Sequence, residues 1–171
     1  MGKAAQLLIA TNSPSAVIRI TGKANFQISV KFKSLVTQLI ERGFDNITLD
    51  ITECTLMDST FIGVMAGLSQ SFKRGSTTSP SSSLKLYGIS DRIQSILEGL
   101  GILSFFPTTN TLEGIEGSDY NQSSDDSEAT KKQLTANSLD AHETLMALNE
   151  ANVAKFEEVT EFLRRELDSS D

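Results

Sequence analysis

The segment from Ile47 to Gly75 constrains the fold more than any other part of the chain. Ile47, Leu49 and Ile51 alternate with polar residues, which is the two-residue period of a strand. Asp58 and Ser59 follow where a helix needs a side-chain oxygen to cap its free N–H groups. The next apolar residues share one helical face, namely Phe61, Met65, Leu68 and Phe72. The pattern predicts a strand, a short loop and a helix that begins near a serine.

Ser59 is the candidate functional residue of this unit. An exposed hydroxyl at the start of a helix lies at the positive end of the helix dipole, and that position suits a phosphate group. The structural alternative is that Ser59 is only an N-cap or first-turn residue, where serine is common. Asp58 is either the cap or a recognition element beside the serine, and Thr60 is a second candidate acceptor.

Strand and helix patterns alternate along the first two thirds of the chain. Residues 5–10 and 16–21 read as a hairpin around a turn-rich connection, and a helix, the Ile47 unit, a further strand at 84–89 and another helix follow. The order predicts an α/β fold, with a mixed sheet of four to five strands and helices packed against it.

The charge distribution places a domain boundary near Gly117. Residues 1–116 contain ten Lys/Arg and nine Asp/Glu, a net of +1, whereas residues 117–171 contain five and thirteen, a net of −8. The two values sum to the −7 of the whole chain. We therefore predict a domain at 1–116, an acidic polar linker at 117–131 and a helical tail at 132–171. The acidic balance disfavours nucleic acid as a partner.

The tail carries an apolar stripe at helical spacing. From Leu145 it runs through Leu148, Phe156, Val159, Leu163 and Leu167. This spacing predicts an amphipathic helix of about 25 residues, with room for a shorter helix before it. An isolated helix of this kind must bury its apolar face. It packs either on its own domain or on a second copy of the chain as a homodimer, and the pattern leaves both alternatives open.

The sequence offers no catalytic or cofactor-binding set. Cys54 has no partner cysteine, and the phosphate-binding glycine motifs are absent. The single histidine, His142, lies in the acidic tail and is expected to be a solvated side chain. With no signal peptide and no long apolar run, we expect a cytoplasmic, non-enzymatic protein without cofactor, metal or membrane insertion.

Two segments carry a resemblance to a known family. The run DSTFIG at 58–63 follows a strand and opens a glycine-bearing helix, and VIRITGKANF at 17–26 precedes it. From about Gln6 to about Glu116 the chain resembles the STAS domain, named for sulfate transporters and anti-sigma factor antagonists. In bacterial antagonists of that family the serine directly after the aspartate is phosphorylated, and that position is Ser59 here. The commonest form, Asp-Ser-Ser-Gly-Leu/Ile, is altered because Thr60 and Phe61 replace its second serine and its glycine.

The resemblance implies a phosphorylation switch. It implies binding to an ATP-dependent serine kinase that doubles as an anti-sigma factor, and resetting by a PPM-type serine phosphatase. The partner-binding surface would include Asp58, Thr60, Asn25 and Gly63, although Gly63 more simply allows close packing against the sheet. The alternative is a constitutive scaffold, or a small STAS subunit of a transport or signalling assembly, without phosphorylation.

Overall fold

The computed structural model describes residues 4–73, 83–112, 115, 119–123 and 127–170. It contains a seven-stranded mixed sheet with helices on one face. The strands are β1 (Gln6–Asn12), β2 (Ser15–Ala24), β3 (Asn46–Asp50), β4 (Cys54–Met57), β5 (Ser83–Tyr87), β6 (Thr108–Thr109) and β7 (Asn121–Gln122). The helices are α1 (Phe26–Glu41), α2 (Ser59–Lys73), α3 (Asp91–Gly99), α4 (Lys131–Leu148) and α5 (Ala151–Ser169), with a 3₁₀ turn at Leu103–Phe105.

The sheet has the order β6-β5-β3-β2-β1-β7, and β4 pairs with the far end of β2. The β1–β2 hairpin and the β1–β7 pair are antiparallel, whereas the other pairs are parallel. The predicted α/β fold with a mixed sheet is therefore confirmed. The residues predicted as a loop before Asp58 contain the short strand β4, whose register with β2 shifts at Gly22/Lys23.

One core lies between the sheet and the helices. Its largest fully buried side chains include Phe32 of α1, Phe61 and Met65 of α2, and Ile18, Ile47 and Leu49 of the sheet. The predicted apolar face of α2 is buried over its whole length, through Leu68 and Phe72. This burial fixes the rotation of α2, and with it the direction in which residues at its start project.

The opposite face of the sheet carries a partly buried charge pair. Arg19 on β2 donates through Nε to Asp50 Oδ2 on β3, at 3.0 Å, and its guanidinium lies 4.0 Å from the ring centroid of Tyr120. A small apolar cluster of Ala10, Val17 and Ile115 adjoins this pair. Tyr120 directly precedes β7, which pairs with β1. Residues beyond Gly117 therefore take part in the sheet.

The C-terminal segment folds back as two helices, α4 and α5, which we call the C-terminal hairpin. The prediction of one helix of about 25 residues starting near Leu145 is wrong. Asn149 has an extended backbone, and its Nδ2 donates to Leu100 O, which ends α4 and turns the chain. Asn152 is buried and donates to the same carbonyl and to Leu145 O. These contacts attach the hairpin to its own domain.

The predicted linker at 117–131 falls partly outside the described residues, at 117–118 and 124–126. Its described part contains β7 and the Thr130 cap of α4. Thr130 and Gln133 form a capping box, in which each side chain accepts from the other residue's backbone N–H.

Candidate functional site

The start of α2 is held by a carboxylate that caps two helices at once. Asp58 follows β4 directly, and its Oδ1 accepts from Phe61 N at 2.8 Å, in the first turn of α2. Its Oδ2 accepts from Phe26 N at 2.7 Å, at the start of α1. Asp58 is therefore the predicted cap of α2, and it also fixes the two helix N-termini beside each other.

Asn25 lies at this same junction as the N-cap of α1. Its Oδ1 accepts from Gln27 N at 3.1 Å. The sequence offered two interpretations of Asn25, a loop residue or part of the surface around Ser59. The structure gives it a capping role, next to the Asp58 contact.

The Ser59 hydroxyl forms a hydrogen bond with the chain's only histidine. Ser59 is the first residue of α2 and is half-buried, and its Oγ lies 2.7 Å from His142 Nε2 on α4. The expectation that His142 is solvated is wrong, because only 4% of it is exposed. The Ser59 hydroxyl, which was predicted to be exposed, instead belongs to a half-buried residue and is bonded to this imidazole.

The hydrogen bonds of His142 define the tautomer of its neutral imidazole. Its Nδ1 lies 2.7 Å from the Ser138 carbonyl oxygen, which can only accept, so Nδ1 carries the proton. Nε2 is then the acceptor for the Ser59 hydroxyl. Burial lowers the pKa of His142, while the Ser138 carbonyl and the Asp58 carboxylate act in the opposite direction. The imidazole is therefore neutral at pH 7.

This serine–histidine pair has the hydrogen-bond order of a nucleophile and a general base. However, the helix that supplies the histidine also covers the hydroxyl. Phe156 of α5 packs against the imidazole from behind, with ring centroids 5.0 Å apart. The contact between Ser59 and His142 therefore closes the site and joins α4 to α2.

Two further polar contacts continue the same interface. Thr60 is buried, and its Oγ1 lies 2.8 Å from Ser138 Oγ on α4. Asn137 Nδ2 donates to Ser29 Oγ on α1, at 2.8 Å, inside the protein. All three contacts join residues at least 78 positions apart in the chain.

Gly63 lets α4 approach α2 closely. A Cβ at this position would lie 2.7 Å from Ala141 Cβ and would clash with the Ala141 carbonyl oxygen. The prediction that Gly63 allows packing against the sheet is wrong, because the glycine faces α4. We call the surface formed by Ser29, Ser59, Thr60 and Gly63 the Ser59 face.

The structure brings three of the predicted site residues, Ser59, Thr60 and Gly63, onto this one face. Asp58 and Asn25 lie at its edge, as caps. Ser29, Ser138 and His142 were not predicted from the sequence as members of this face. The one available signal was a histidine in a helix that has to bury a face somewhere.

Among the described residues, no group of three or more His, Cys, Asp or Glu side chains could hold a metal ion. Cys54 is buried, and burial raises the pKa of its thiol, which keeps it protonated. Within the described part of the chain, none of the helices has the length and apolarity required to cross a bilayer.

Comparison with known proteins identifies the fold. The STAS domain profile matches residues 8–115. The anti-sigma factor antagonist SpoIIAA, in its unphosphorylated form, is 18% identical, with a TM-score of 0.52 over 66% of this chain and 94% of SpoIIAA. An antagonist from Mycobacterium paratuberculosis is 10% identical, with a TM-score of 0.53 over 64% and 89% of the two chains. No curated protein gives a significant sequence match. At these identities the solved structures establish the fold alone.

Proposed function

This chain belongs to the STAS domain family, and on that premise we propose that it is a regulatory protein of the anti-sigma factor antagonist type. It binds an anti-sigma factor that is also a serine kinase, through the surface around Ser59. Phosphorylation of Ser59 switches this binding off. The observation that carries the proposal is the position of Ser59, which follows the Asp58 cap as the first residue of α2.

The modification itself needs no catalytic group on this chain. The Ser59 oxygen attacks the γ-phosphorus of ATP on the kinase, a new P–O bond forms, and the bond to the ADP leaving group breaks. The hydroxyl proton passes to a base of the kinase. A PPM-type serine phosphatase reverses the change, because water attacks phosphorus and releases inorganic phosphate and the free hydroxyl.

Electrostatics makes such a switch compatible with a stable fold. The α2 dipole favours negative charge at Ser59 within the domain. The phosphate carries about −1.5 to −2 charges, and burying it in a packed interface is costly unless cations pair with it. One modification can therefore leave the domain folded and still abolish binding.

The test is site-resolved mass spectrometry of the protein isolated from its native cell. We expect one phosphoryl group on Ser59, and none in a Ser59→Ala variant expressed in the same cells. The kinase captured from that lysate should bind Ser59→Ala and should bind Ser59→Asp at least about tenfold more weakly, or about 1.4 kcal/mol. Unmodified Ser59 under all growth conditions, together with equal affinities of both variants, would contradict the switch.

The rival proposal is a constitutive scaffold or a small STAS subunit of a larger assembly. A specific observation favours it, namely that the Ser59 hydroxyl is already bonded to His142 and covered by α4. In this case Ser59 has a structural role, and partners bind elsewhere on the domain or on the hairpin. The same measurements separate the two proposals, because a scaffold would retain its partners in both Ser59 variants.

A further inference from the structure

Helix α4 packs over Ser59 and the residues around it. The helix places Asn137, Ser138 and His142 over the Ser59 face, and each forms a hydrogen bond with a hydroxyl of that face. Apolar contact accompanies these bonds, since Ala141 is 1% exposed against Gly63, and Leu145 is fully buried. Since α4 occupies the proposed binding surface, a partner and α4 cannot both bind there.

The packing at Ser59 leaves no room for a phosphate. The 2.7 Å between Ser59 Oγ and His142 Nε2 is the length of a single hydrogen bond. A phosphoryl group would place a phosphorus atom and three further oxygens in that space. In this rotamer of Ser59, a phosphate and the docked position of α4 therefore exclude each other.

Charge acts in the same direction. The phosphate would lie beside the Asp58 carboxylate, under a helix whose contacting groups are the neutral His142 and the Ser138 hydroxyl. Nearby, Asp140 of α4 forms an exposed ion pair with Lys33, with 3.5 Å between Lys33 Nζ and Asp140 Oδ2. Unless His142 takes up a proton, a phosphate enclosed here has no cationic partner among these contacting groups.

We propose that the C-terminal hairpin is an intramolecular ligand of the Ser59 face that binds only when Ser59 is unphosphorylated. It competes with the kinase and with any other partner of this face, and phosphorylation releases it. This inference rests on the proposed function, in which Ser59 is the phosphoacceptor. Linkage makes the effect reciprocal, because a phosphate that expels the hairpin is itself harder to introduce while the hairpin is docked.

The first test introduces phosphoserine at position 59 of the full chain during translation, so that no kinase has to be known. Hydrogen exchange is then followed by mass spectrometry on peptides from α4 and from the start of α2. We expect exchange in both peptides to rise by at least about tenfold over the unmodified chain. Phosphoserine at position 90 is the matched control, because Ser90 is exposed and its side chain accepts from Ile93 N within α3, and it should change neither peptide.

Exchange in β2 and β3 reports whether the sheet remains folded. Unchanged protection of α4 in a chain with phosphoserine at position 59 would overturn the proposal. Release of α4 while the sheet stays protected would support it.

The second test needs no phosphate and remains informative if the modified chain fails to fold. A Ser59→Cys chain is treated with iodoacetamide, and labelling at position 59 is measured by peptide mass spectrometry, alone and combined with Ala141→Arg. Arginine cannot fit against Gly63, so we expect labelling to accelerate by at least about tenfold. Ala154→Arg, at an exposed position of α5 in the same hairpin, is the control and should leave the rate unchanged. Equal rates in all three chains would show that α4 does not cover the site.

These tests separate the proposal from the proposed function. Release of the hairpin by phosphoserine in a protein that is never phosphorylated in its cell would leave the coupling intact and refute the switch. Phosphorylation of Ser59 in the cell without release of α4 would support the switch and refute the coupling.

Discussion

Replacing Gly63 with alanine should have opposite effects with and without the hairpin. In a helix interior, glycine is less favourable than alanine by roughly 0.5–1 kcal/mol. A chain that ends at Ala129 lacks α4 and α5 but retains β7, so Gly63→Ala should stabilise it by about that amount. In the full chain the new Cβ would meet the backbone of Ala141, with Ala141 Cβ at 2.7 Å.

Overpacking of this kind costs about 1–3 kcal/mol, and contact with backbone atoms points to the upper part of that range. After subtraction of the gain in helix propensity, we expect the full chain to lose about 1–2 kcal/mol. For a chain of this size this corresponds to a decrease in melting temperature of roughly 2–4 °C per kcal/mol.

Urea unfolding, followed by circular dichroism, measures both effects. It is applied to four proteins, namely the full chain and the chain that ends at Ala129, each with and without Gly63→Ala. Hydrogen exchange of α4 separates release of the hairpin from global unfolding. Gly67→Ala is the matched control, because its Cβ would meet only the Thr144 side chain, at 3.9 Å, an ordinary contact. It should stabilise both backgrounds. If Gly63→Ala also stabilised the full chain, α4 would not pack on α2 as described.

Three further predictions follow from the packing. The chain that ends at Ala129 should remain folded by circular dichroism, because it keeps the sheet and helices α1 to α3; complete unfolding would show that the hairpin is required. Leu68→Ala should cost about 2–5 kcal/mol in urea unfolding, as for other buried leucines, and a loss below about 0.5 kcal/mol would mean that this face of α2 is exposed. The pKa of His142 is lowered by burial from its ordinary value of 6.5, so the undocked histidine binds protons more readily than the docked one. Docking of α4 should therefore be strongest above pH 6.5 and should weaken as the pH falls from 6.5 towards the lowered pKa of His142. In a His142→Gln chain, hydrogen exchange of α4 should lose this pH dependence.

Local patterns were sufficient for the domain and for the position of Ser59. The alternation of Ile47, Leu49 and Ile51 and the four-three-four spacing from Phe61 are properties of short windows, and a strand or a helix imposes them directly. The cap at Asp58 could be predicted for the same reason. Its second role, at the start of α1, could not, because it joins residues 32 positions apart.

The contacts of α4 could not be predicted from such windows. Ser59 and His142 are 83 positions apart, and no local pattern reports their meeting. The interface is also polar, so that Asn137, Ser138 and His142 interrupt the apolar spacing by which a buried helix face is recognised. The break between α4 and α5 was missed because Asn149 ends the helix through a tertiary contact with Leu100.

The double cap formed by Asp58 has a consequence for genetics. Under the proposed function, a random screen for loss of partner binding would recover substitutions of Asp58 beside acidic substitutions of Ser59, and the two would share a phenotype. Their causes would differ, since loss of the carboxylate frees the Phe26 amide of α1 and the Phe61 amide of α2 together, whereas loss of the hydroxyl leaves both caps in place. Protein abundance distinguishes them, because a frayed domain is degraded and an intact but unmodifiable one accumulates normally. An Asp58 allele therefore cannot be taken as a report on signalling unless the amount of folded protein is measured beside it.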